Sequence, residues 1–357
     1  MTAGRNTVRR LAGVLGVAAL AALAGAAPAS ADPPVPTDFR SVIDAVEPAP
    51  DGVDVEVVGG DAFLELRVDE GHEVDVHGYQ GEPYLRFRAD GTVERNTRSP
   101  ATYLNEDRRG SVELPASADP AAEPAWEEVA GGGMYAWHDH DVHWMGGGYP
   151  PGKGHGDVVQ RWTKDLVVDG TPTTVEGRLL WVDPVSPVPW LVLGAVAAVA
   201  VVVLGRSRSL VGAVAAVVAA ALALVLGAGQ YGDAPVGSGA SPLLVAVPLV
   251  GLLAGVLGLG LHRRLPGVAP AATLGAVAAV VGWGLLRLGV LWKPVLPTAL
   301  PDGVDRAGTV LALGLAVAAA VTGVLAGGLT SGFASTADEL DTEPEPAPAP
   351  DATDDAV

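Results

Sequence analysis

Cysteine is absent from all 357 residues of the chain. Its absence excludes disulfide bonds and thiolate metal sites, so any metal ion has to bind to histidine, methionine, carboxylate or backbone groups. Methionine is also scarce, with three residues including Met1, and histidine occurs seven times. A metal site built from these side chains therefore has few places in which to form.

Charged residues are few and mostly acidic. They make up 18% of the chain, against 49% hydrophobic residues, and the formal net charge is −19. A single soluble domain is less apolar than this, so the apolar residues must lie in blocks. Residues 32–187 hold 30 acidic and 12 basic residues. Such a surface repels nucleic acid and attracts cations, so we expect no nucleic-acid partner.

The N-terminus has the order of an export signal. Arginines within the first ten residues precede an apolar stretch, residues 11–27, and the small residues Ala29-Ser30-Ala31. This order predicts a signal peptide, residues 1–31, that is cleaved after Ala31. An uncleaved anchor helix is the alternative.

Residues 32–187 alternate between apolar and charged side chains with a period of two, as in residues 53–57. This period predicts half-buried antiparallel strands. Two longer runs, 158–168 and 173–182, flank Asp169-Gly170 and predict a closing hairpin. Short strands at this spacing favour a β-sandwich of Ig-like or cupredoxin-like type, with a barrel as the alternative.

Long apolar stretches follow Pro189 and predict an all-α polytopic membrane domain, residues 188–329. The predicted transmembrane helices are residues 190–205, 210–227, 243–261, 271–291 and 309–329. Their alanine and glycine content suits close packing of helices in a lipid bilayer. The sequence thus predicts a multi-pass protein of the cell membrane.

Basic residues in the loops predict the orientation in the membrane. Arg206 and Arg208 follow the first predicted helix, and residues 262–264, His-Arg-Arg, follow the third. Because short cytoplasmic loops are enriched in Lys and Arg, these loops are predicted to be cytoplasmic and the β-domain extracytoplasmic. Five helices then place the C-terminus in the cytoplasm, where residues 330–357 are predicted to form a disordered acidic tail.

One short segment, residues 131–148, concentrates the residues able to bind a metal. It contains His138, His140 and His143 and ends near Met145. On a strand, the first two histidines point to the same face, and a turn after Asp141 can return the other two residues to them. Imidazole suits Cu(II), Zn(II) and Ni(II), and a thioether adds preference for Cu(I). We therefore predict these four residues as ligands of a copper ion.

Four further residues of the segment are predicted to support the ligands. Asp139 and Asp141 are placed to accept ring N–H groups, and Trp137 and Trp144 to cover the bound cation. The competing interpretation is an aromatic edge that packs on the sandwich or rests at the membrane interface. No nucleophile with a matched base is present in the pattern, so we do not expect an enzyme.

An exported β-sandwich with His and Met ligands, joined to a polytopic helical part, resembles the copper-resistance proteins of the CopC and CopD type. The chain is also similar to an uncharacterised group of actinobacterial membrane proteins with a Trp-His-Asp-His…His-Trp-Met segment, here residues 137–145. The resemblance implies copper handling, with an envelope protein or a metallochaperone as partner. Two departures are that cleavage leaves Asp32 first, where CopC-like chains begin with a ligand histidine, and that the helices carry almost no His or Met.

Arg287 lies inside the fourth apolar stretch and is a candidate functional residue of the membrane domain. The alternative is that Arg287 and Lys293 extend to lipid headgroups, with Asp302 or Asp305 as further candidate partners. The sequence as a whole predicts a membrane-anchored, extracytoplasmic metal-binding protein that functions in copper handling or homeostasis. The alternative function is a non-catalytic scaffold or sensor whose β-domain binds a protein partner.

Overall fold

The structure, a computed structural model, describes residues 33–207, 210–235, 238, 240–265 and 268–325. The predicted signal peptide, the predicted tail, the end of the last predicted helix and Arg208 lie outside the described residues. The described part divides into a β-rich domain followed by five long apolar helices.

Alternation of apolar and polar residues produces the strands of the β-domain. In chain order they are β1 (Phe39–Glu47), β2 (Val53–Val58), β3 (Phe63–Val68), β4 (Val74–His77), β5 (Pro83–Phe87), β6 (Val93–Asn96), β7 (Trp126–Ala130), β8 (Met134–His138), β9 (Val158–Val168) and β10 (Thr171–Trp181). A short helix, α1 (Ala101–Leu104), lies between β6 and β7. The β-rich character predicted from the sequence is confirmed.

The strands form two antiparallel sheets that share one core. The larger sheet has the order β1-β10-β9-β4-β5-β6-β7 and the smaller one β2-β3-β8. Leu64 and Leu66 of the smaller sheet belong to the same buried cluster as Leu85 and Leu166 of the larger one. Burying apolar faces against each other is what holds such layers together. The Ig-like or cupredoxin-like type remains a prediction.

The closing hairpin of the β-domain forms where the sequence predicts it. β9 and β10 pair in register from Val168 and Thr171 outwards, and the turn residues Asp169 and Gly170 have φ angles of 48° and 77°. Two consecutive left-handed residues are the mark of a type I′ turn, whose twist matches that of paired strands.

Five helices of the second domain are long and apolar enough to cross a membrane. They are α2 (Val188–Gly205), α3 (Val211–Asp233), α4 (Leu243–Leu261), α5 (Ala269–Leu286) and α6 (Asp302–Leu325), and a 3₁₀ turn, Leu288–Leu291, follows α5. Small residues let them approach closely, since Gly227 of α3 lies directly against the Leu244 carbonyl of α4. The chain is thus a multi-pass membrane protein in architecture, with apolar helix faces suited to lipid.

Three of these helices differ from the predicted bounds at ends that carry charge. α3 continues to Asp233, beyond the predicted end at 227, and α6 begins at Asp302 rather than at 309. α5 ends at Leu286 rather than at 291, because Arg287 leaves the α-helical conformation and a 3₁₀ turn follows. Apolar composition alone locates the membrane-facing turns and misses helical turns that carry charge. At α6, Asp302 and Asp305 occupy the first turn, where the helix dipole favours acidic side chains.

The β-domain contacts the loop between α5 and α6 directly. Thr37, just before β1, forms a two-bond antiparallel bridge with Val295: its N–H donates to the Val295 carbonyl over 3.0 Å, and the Val295 N–H donates back over 3.2 Å. Asp38 forms an ion pair with Lys293. The domain is therefore fixed to the bundle at a second point besides the chain between β10 and α2.

Candidate functional site

The histidine cluster forms where β8 ends. β8 pairs with β3, which places His138 opposite Phe63, and their rings meet edge to face at 5.1 Å. The strand ends at His138, and the Val142 N–H donates to the Asp139 carbonyl to close a turn. This turn returns His143 to the end of the strand. His140 therefore reaches the cluster from the turn and not by strand alternation.

The three rings of His138, His140 and His143 are mutual neighbours. Their centres lie 5.0 Å apart between His138 and His143, 5.5 Å between His140 and His143, and 6.3 Å between His138 and His140. A metal–nitrogen bond of about 2.0–2.1 Å places the ring centres of two imidazoles sharing a tetrahedral ion roughly 5 Å apart. The His138–His143 and His140–His143 pairs are close to this spacing, and the His138–His140 pair is wider.

His138 is the unusual member of the cluster. Its side chain is 2% exposed, and neither ring nitrogen has a hydrogen-bond partner among the described residues. Buried polar atoms almost always have a partner, and each exception asks for an explanation such as a bound ion or water. His138 therefore presents two nitrogen atoms to the interior with no protein group to satisfy them.

The other two histidines contact backbone carbonyls. His140 Nε2 lies 3.0 Å from the Asp107 carbonyl oxygen, and its ring stacks on Tyr79. His143 Nδ1 lies 3.0 Å from the Asp139 carbonyl oxygen and its Nε2 2.6 Å from that of Arg108. A neutral imidazole has one N–H donor, so it satisfies only one of the two carbonyls that face His143.

Burial keeps His138 and His143 neutral. It lowers the pKa of His138 to about 3, helped by His143 and the Arg108 guanidinium. Burial and Arg108 also lower the pKa of His143 to about 4, although the two carbonyls act in the opposite direction. Both groups are therefore free bases near neutral pH, and a free base has the lone pair that a metal ion needs.

The predicted supporting aspartates contact a lysine. Lys164 Nζ lies 2.9 Å from Asp139 Oδ2 and 2.8 Å from Asp141 Oδ2, and the Trp137 indole N–H donates to the same Asp139 oxygen. The burial that would raise the pKa of Asp139 is outweighed by Lys164 and these hydrogen bonds, so the pKa is lowered. The ring nitrogens of His140 and His143 meet backbone carbonyls where the sequence predicts these carboxylates.

Met145 and Trp144 lie on the loop that leaves the cluster. The Met145 side chain is 39% exposed, and the Trp144 indole N–H donates to the carbonyl of Gly148 in its own loop. Trp137, in contrast, is buried in the core of the domain. Both predicted residues thus lie on this loop, and the cluster that the structure describes consists of the three imidazoles.

Within the described part of the chain, no group of three or more His, Cys, Asp or Glu side chains stands ready to hold a metal ion. Two of the three rings direct nitrogens at backbone carbonyls rather than at a common point. His143 has both of its nitrogens against carbonyls. For a three-histidine site, this ring has to give up one carbonyl contact and turn that nitrogen towards the ion.

Several residues of the site escape the sequence pattern. Arg108 supplies a carbonyl to His143 and forms an ion pair with the buried Asp61 over 2.8 Å. Gly110 leaves room for His140, since a Cβ atom there would lie 2.8 Å from its Cε1. Residues 108–110, Arg-Arg-Gly, stand out in the sequence. Their composition does not indicate that they lie beside the histidines.

The sequence matches no family model, no curated protein and no solved structure. The function of the chain therefore has to be argued from the site itself.

Arg287, the candidate of the membrane domain, is buried and ion-paired. Its Nη2 lies 2.8 Å from both carboxylate oxygens of Asp305, and its guanidinium carbon lies 4.7 Å from the centre of the Trp283 ring. The side chain is 4% exposed, and its Nε and Nη1 atoms have no partner among the described residues. Arg287 thus pairs with Asp305 inside the bundle rather than extending to lipid headgroups. Lys293 pairs with Asp38 of the β-domain.

Proposed function

We propose that the β-domain binds a transition-metal ion, copper in the first place, at His138, His140 and His143. The observation that carries the proposal is the pair of buried, unpartnered nitrogens on His138 beside two further imidazoles. An apolar packing role does not require a histidine here, because a phenylalanine would fill the space without leaving polar atoms unsatisfied.

The partners of the other histidines fit this function. A metal-binding histidine commonly donates its second ring N–H to a backbone carbonyl, which fixes the tautomer. His140 donates in this way from Nε2 to the Asp107 carbonyl, so Nδ1 is the nitrogen that the ring can offer to an ion. His143 can keep the Arg108 or the Asp139 carbonyl and offer its other nitrogen to the ion. The bound metal then supplies a positive charge beside His138 and His143, whose rings are buried in the neutral form.

The donor set favours Cu(II). Imidazole nitrogens suit Cu(II), Zn(II) and Ni(II), and among divalent first-row ions Cu(II) forms the strongest complexes. Met145 adds a soft donor for Cu(I) if its exposed loop closes over the cluster. The acidic surface of the domain attracts cations in general and raises their local concentration.

In this proposal the protein handles copper at the outer face of the cell membrane. The β-domain is extracytoplasmic and the C-terminus cytoplasmic, because Arg206 and residues 262–264 belong to loops that the positive-inside rule assigns to the cytoplasm. The helices anchor the domain, and an envelope protein or metallochaperone exchanges the metal with it. The role is binding and transfer rather than catalysis.

Copper titration of the full chain in detergent, after removal of metal by a chelator, tests the proposal. We expect one Cu(II) per chain, with nitrogen hyperfine structure in the electron paramagnetic resonance spectrum. His138→Ala should abolish or strongly weaken binding, because it removes the donor with no other partner. His155→Ala is the matched control, since this histidine packs on Trp181 away from the cluster.

The competing function is a scaffold or sensor whose β-domain binds a protein. An exposed loop next to the cluster, with Met145 and with Tyr149 at 71% exposure, is the surface that such a partner would contact. If the wild type and the His138→Ala variant bind Cu(II), Cu(I) and Zn(II) equally weakly, the metal function is refuted and this second function is favoured.

A further inference from the structure

Contacts beyond the histidine cluster lead towards the membrane domain. His143 Nε2 meets the Arg108 carbonyl at 2.6 Å, and the Arg108 guanidinium donates to Asp61 Oδ2 over 2.8 Å. Asp61 is fully buried. Breaking a buried ion pair by withdrawing one partner is costly, because it leaves a charge without compensation. A displacement of Arg108 therefore moves Asp61 with it in preference to separating the two.

The turn that carries Asp61 rests on the α5–α6 loop. A Cβ atom on Gly60 would lie 2.6 Å from Val295 Cγ1 and 3.2 Å from Thr37 Cγ2, so the backbone itself is in contact with this loop. Burial raises the pKa of Asp61, and the Thr37 side chain is near enough to its carboxyl to act in the opposite direction. Thr37 and Val295 are joined by the two-bond bridge. The turn, the start of β1 and the loop thus form one packed junction.

On the bundle side, the junction continues to the buried ion pair. Arg306 Nη2 donates to the carbonyls of Lys293 and Pro294 over 2.8 and 3.2 Å. Asp305, the residue before Arg306 in α6, holds Arg287 at the end of α5. The same loop is therefore held by the β-domain on one side and by the first turns of α6 on the other.

We infer that this junction gives the protein a second function, in which the state of the histidine cluster is transmitted to the Arg287–Asp305 pair of the bundle. Its input rests on the proposed function. A divalent ion that recruits His143 turns the ring and withdraws one nitrogen from a carbonyl, which changes the 2.6 Å contact with the Arg108 carbonyl, the closer of the two. The Arg108–Asp61 pair and the Gly60 contact carry the shift to Val295. The protein then reports a cation outside the membrane to its own helices.

Coupling of this kind is reciprocal, so a change at the junction must alter copper affinity at the cluster. Lys293→Met removes the ion pair with Asp38 from the bundle side, and Lys153→Met is its control because this lysine is exposed on the β-domain. Gly60→Ala pushes a methyl group into Val295. Gly170→Ala is its control. The φ angle of Gly170 is 77°, close to the 81° of Gly60, and a Cβ atom on Gly170 would meet no other atom within 4 Å.

Cu(II) affinity of the full chain in detergent is measured for all four variants. We expect at least a fivefold change for Lys293→Met or Gly60→Ala relative to its own control, the lower end of about 5–150-fold for coupled sites. If copper binds the wild type and both changes stay below fivefold, the transmission is overturned while the metal function stands.

Amide exchange of the metal-free proteins separates the two proposals. Lys293→Met should speed exchange in residues 139–143 relative to Lys153→Met, because the junction and the cluster are one packed unit. If the wild type binds no metal, the proposed function fails, and faster exchange at the cluster still supports the junction as a coupling element. Unchanged exchange in these residues then overturns the inference as well.

Discussion

Acid should destabilise the metal-free β-domain well above the range in which its carboxylates protonate. His138 and His143 have folded pKa values of about 3 and about 4, because burial disfavours their charged forms. In the unfolded chain both have the ordinary pKa of about 6.5. Between these values the unfolded state binds more protons, so stability is full above pH 6.5 and is lost as pH falls towards 4.

The size of the effect follows from the same pKa values. Lowering the pH from 7 to 5 stabilises the unfolded form of each histidine by about 2 kcal/mol, while the folded forms remain almost unprotonated. The two histidines together should cost the fold about 4 kcal/mol, a large share of the 5–15 kcal/mol typical of a domain. Asp61 acts in the opposite direction, because its folded pKa is raised by burial.

Hydrogen exchange of core amides in the β-domain, in the presence of a chelator, measures this loss at pH 7 and pH 5. His138→Phe provides the internal comparison, since it removes one histidine and keeps Asp61. The loss between the two pH values should shrink by about 2 kcal/mol in this variant. An equal loss in the wild type and in His138→Phe would refute the conclusion that this histidine is buried in its neutral form.

Three further outcomes are expected. Arg287→Lys should lower thermal stability and membrane abundance relative to Arg206→Lys, because an ammonium group lacks the planar guanidinium that lies over the Trp283 ring; equal values would argue against a structural role for the guanidinium. Protease added outside intact protoplasts should remove the β-domain and spare a tag after the last residue of the chain, and digestion of the tag would mean that the number of membrane crossings is even. Met145→Leu should leave Cu(II) affinity unchanged and weaken Cu(I), because the thioether is exposed and soft; equal loss for both ions would place the sulfur among the ligands of either state.

The strands that were predictable are those with a clean period of two and a strong turn signal. β9 and β10 are an example, because Asp169-Gly170 adopts the two left-handed conformations that the hairpin needs. β1 is less regular, with a bulge between Ile43 and Ala45 that interrupts its pairing with β10. β8 has an aromatic pattern in place of alternation. Its pairing with β3 depends on the rest of the fold.

The candidate site was predictable in its histidines and not in their surroundings. Three histidines within six residues are readily recognised in the sequence, and a tight turn is enough to bring their rings together. Their partners are backbone carbonyls of Asp107, Arg108 and Asp139. Any residue type supplies a carbonyl, so the sequence holds no signature for these contacts. Lys164 likewise reaches the aspartates from a distant strand.

The ion pairs of the membrane domain show a similar limit. Hydropathy locates apolar stretches, and it treats Arg287 and Asp305 as two unfavourable residues at the edges of different helices. In the structure they neutralise each other. Charges that meet in three dimensions lie 18 positions apart here, and helical periodicity does not predict such a meeting.

The bridge between Thr37 and Val295 also orders the assembly of the protein in time. Domains fold as units during synthesis, so the β-domain has its whole sequence long before Val295 is made. Roughly 110 further residues must be added first, which takes about 5–20 s at 5–20 residues per second. During that interval the domain is connected to the helices only by the chain between β10 and α2, so it is free to rotate relative to them. Arrival of the α5–α6 loop ends this freedom, so the orientation of the β-domain is fixed late, by the part of the chain that is translated after four helices are in place.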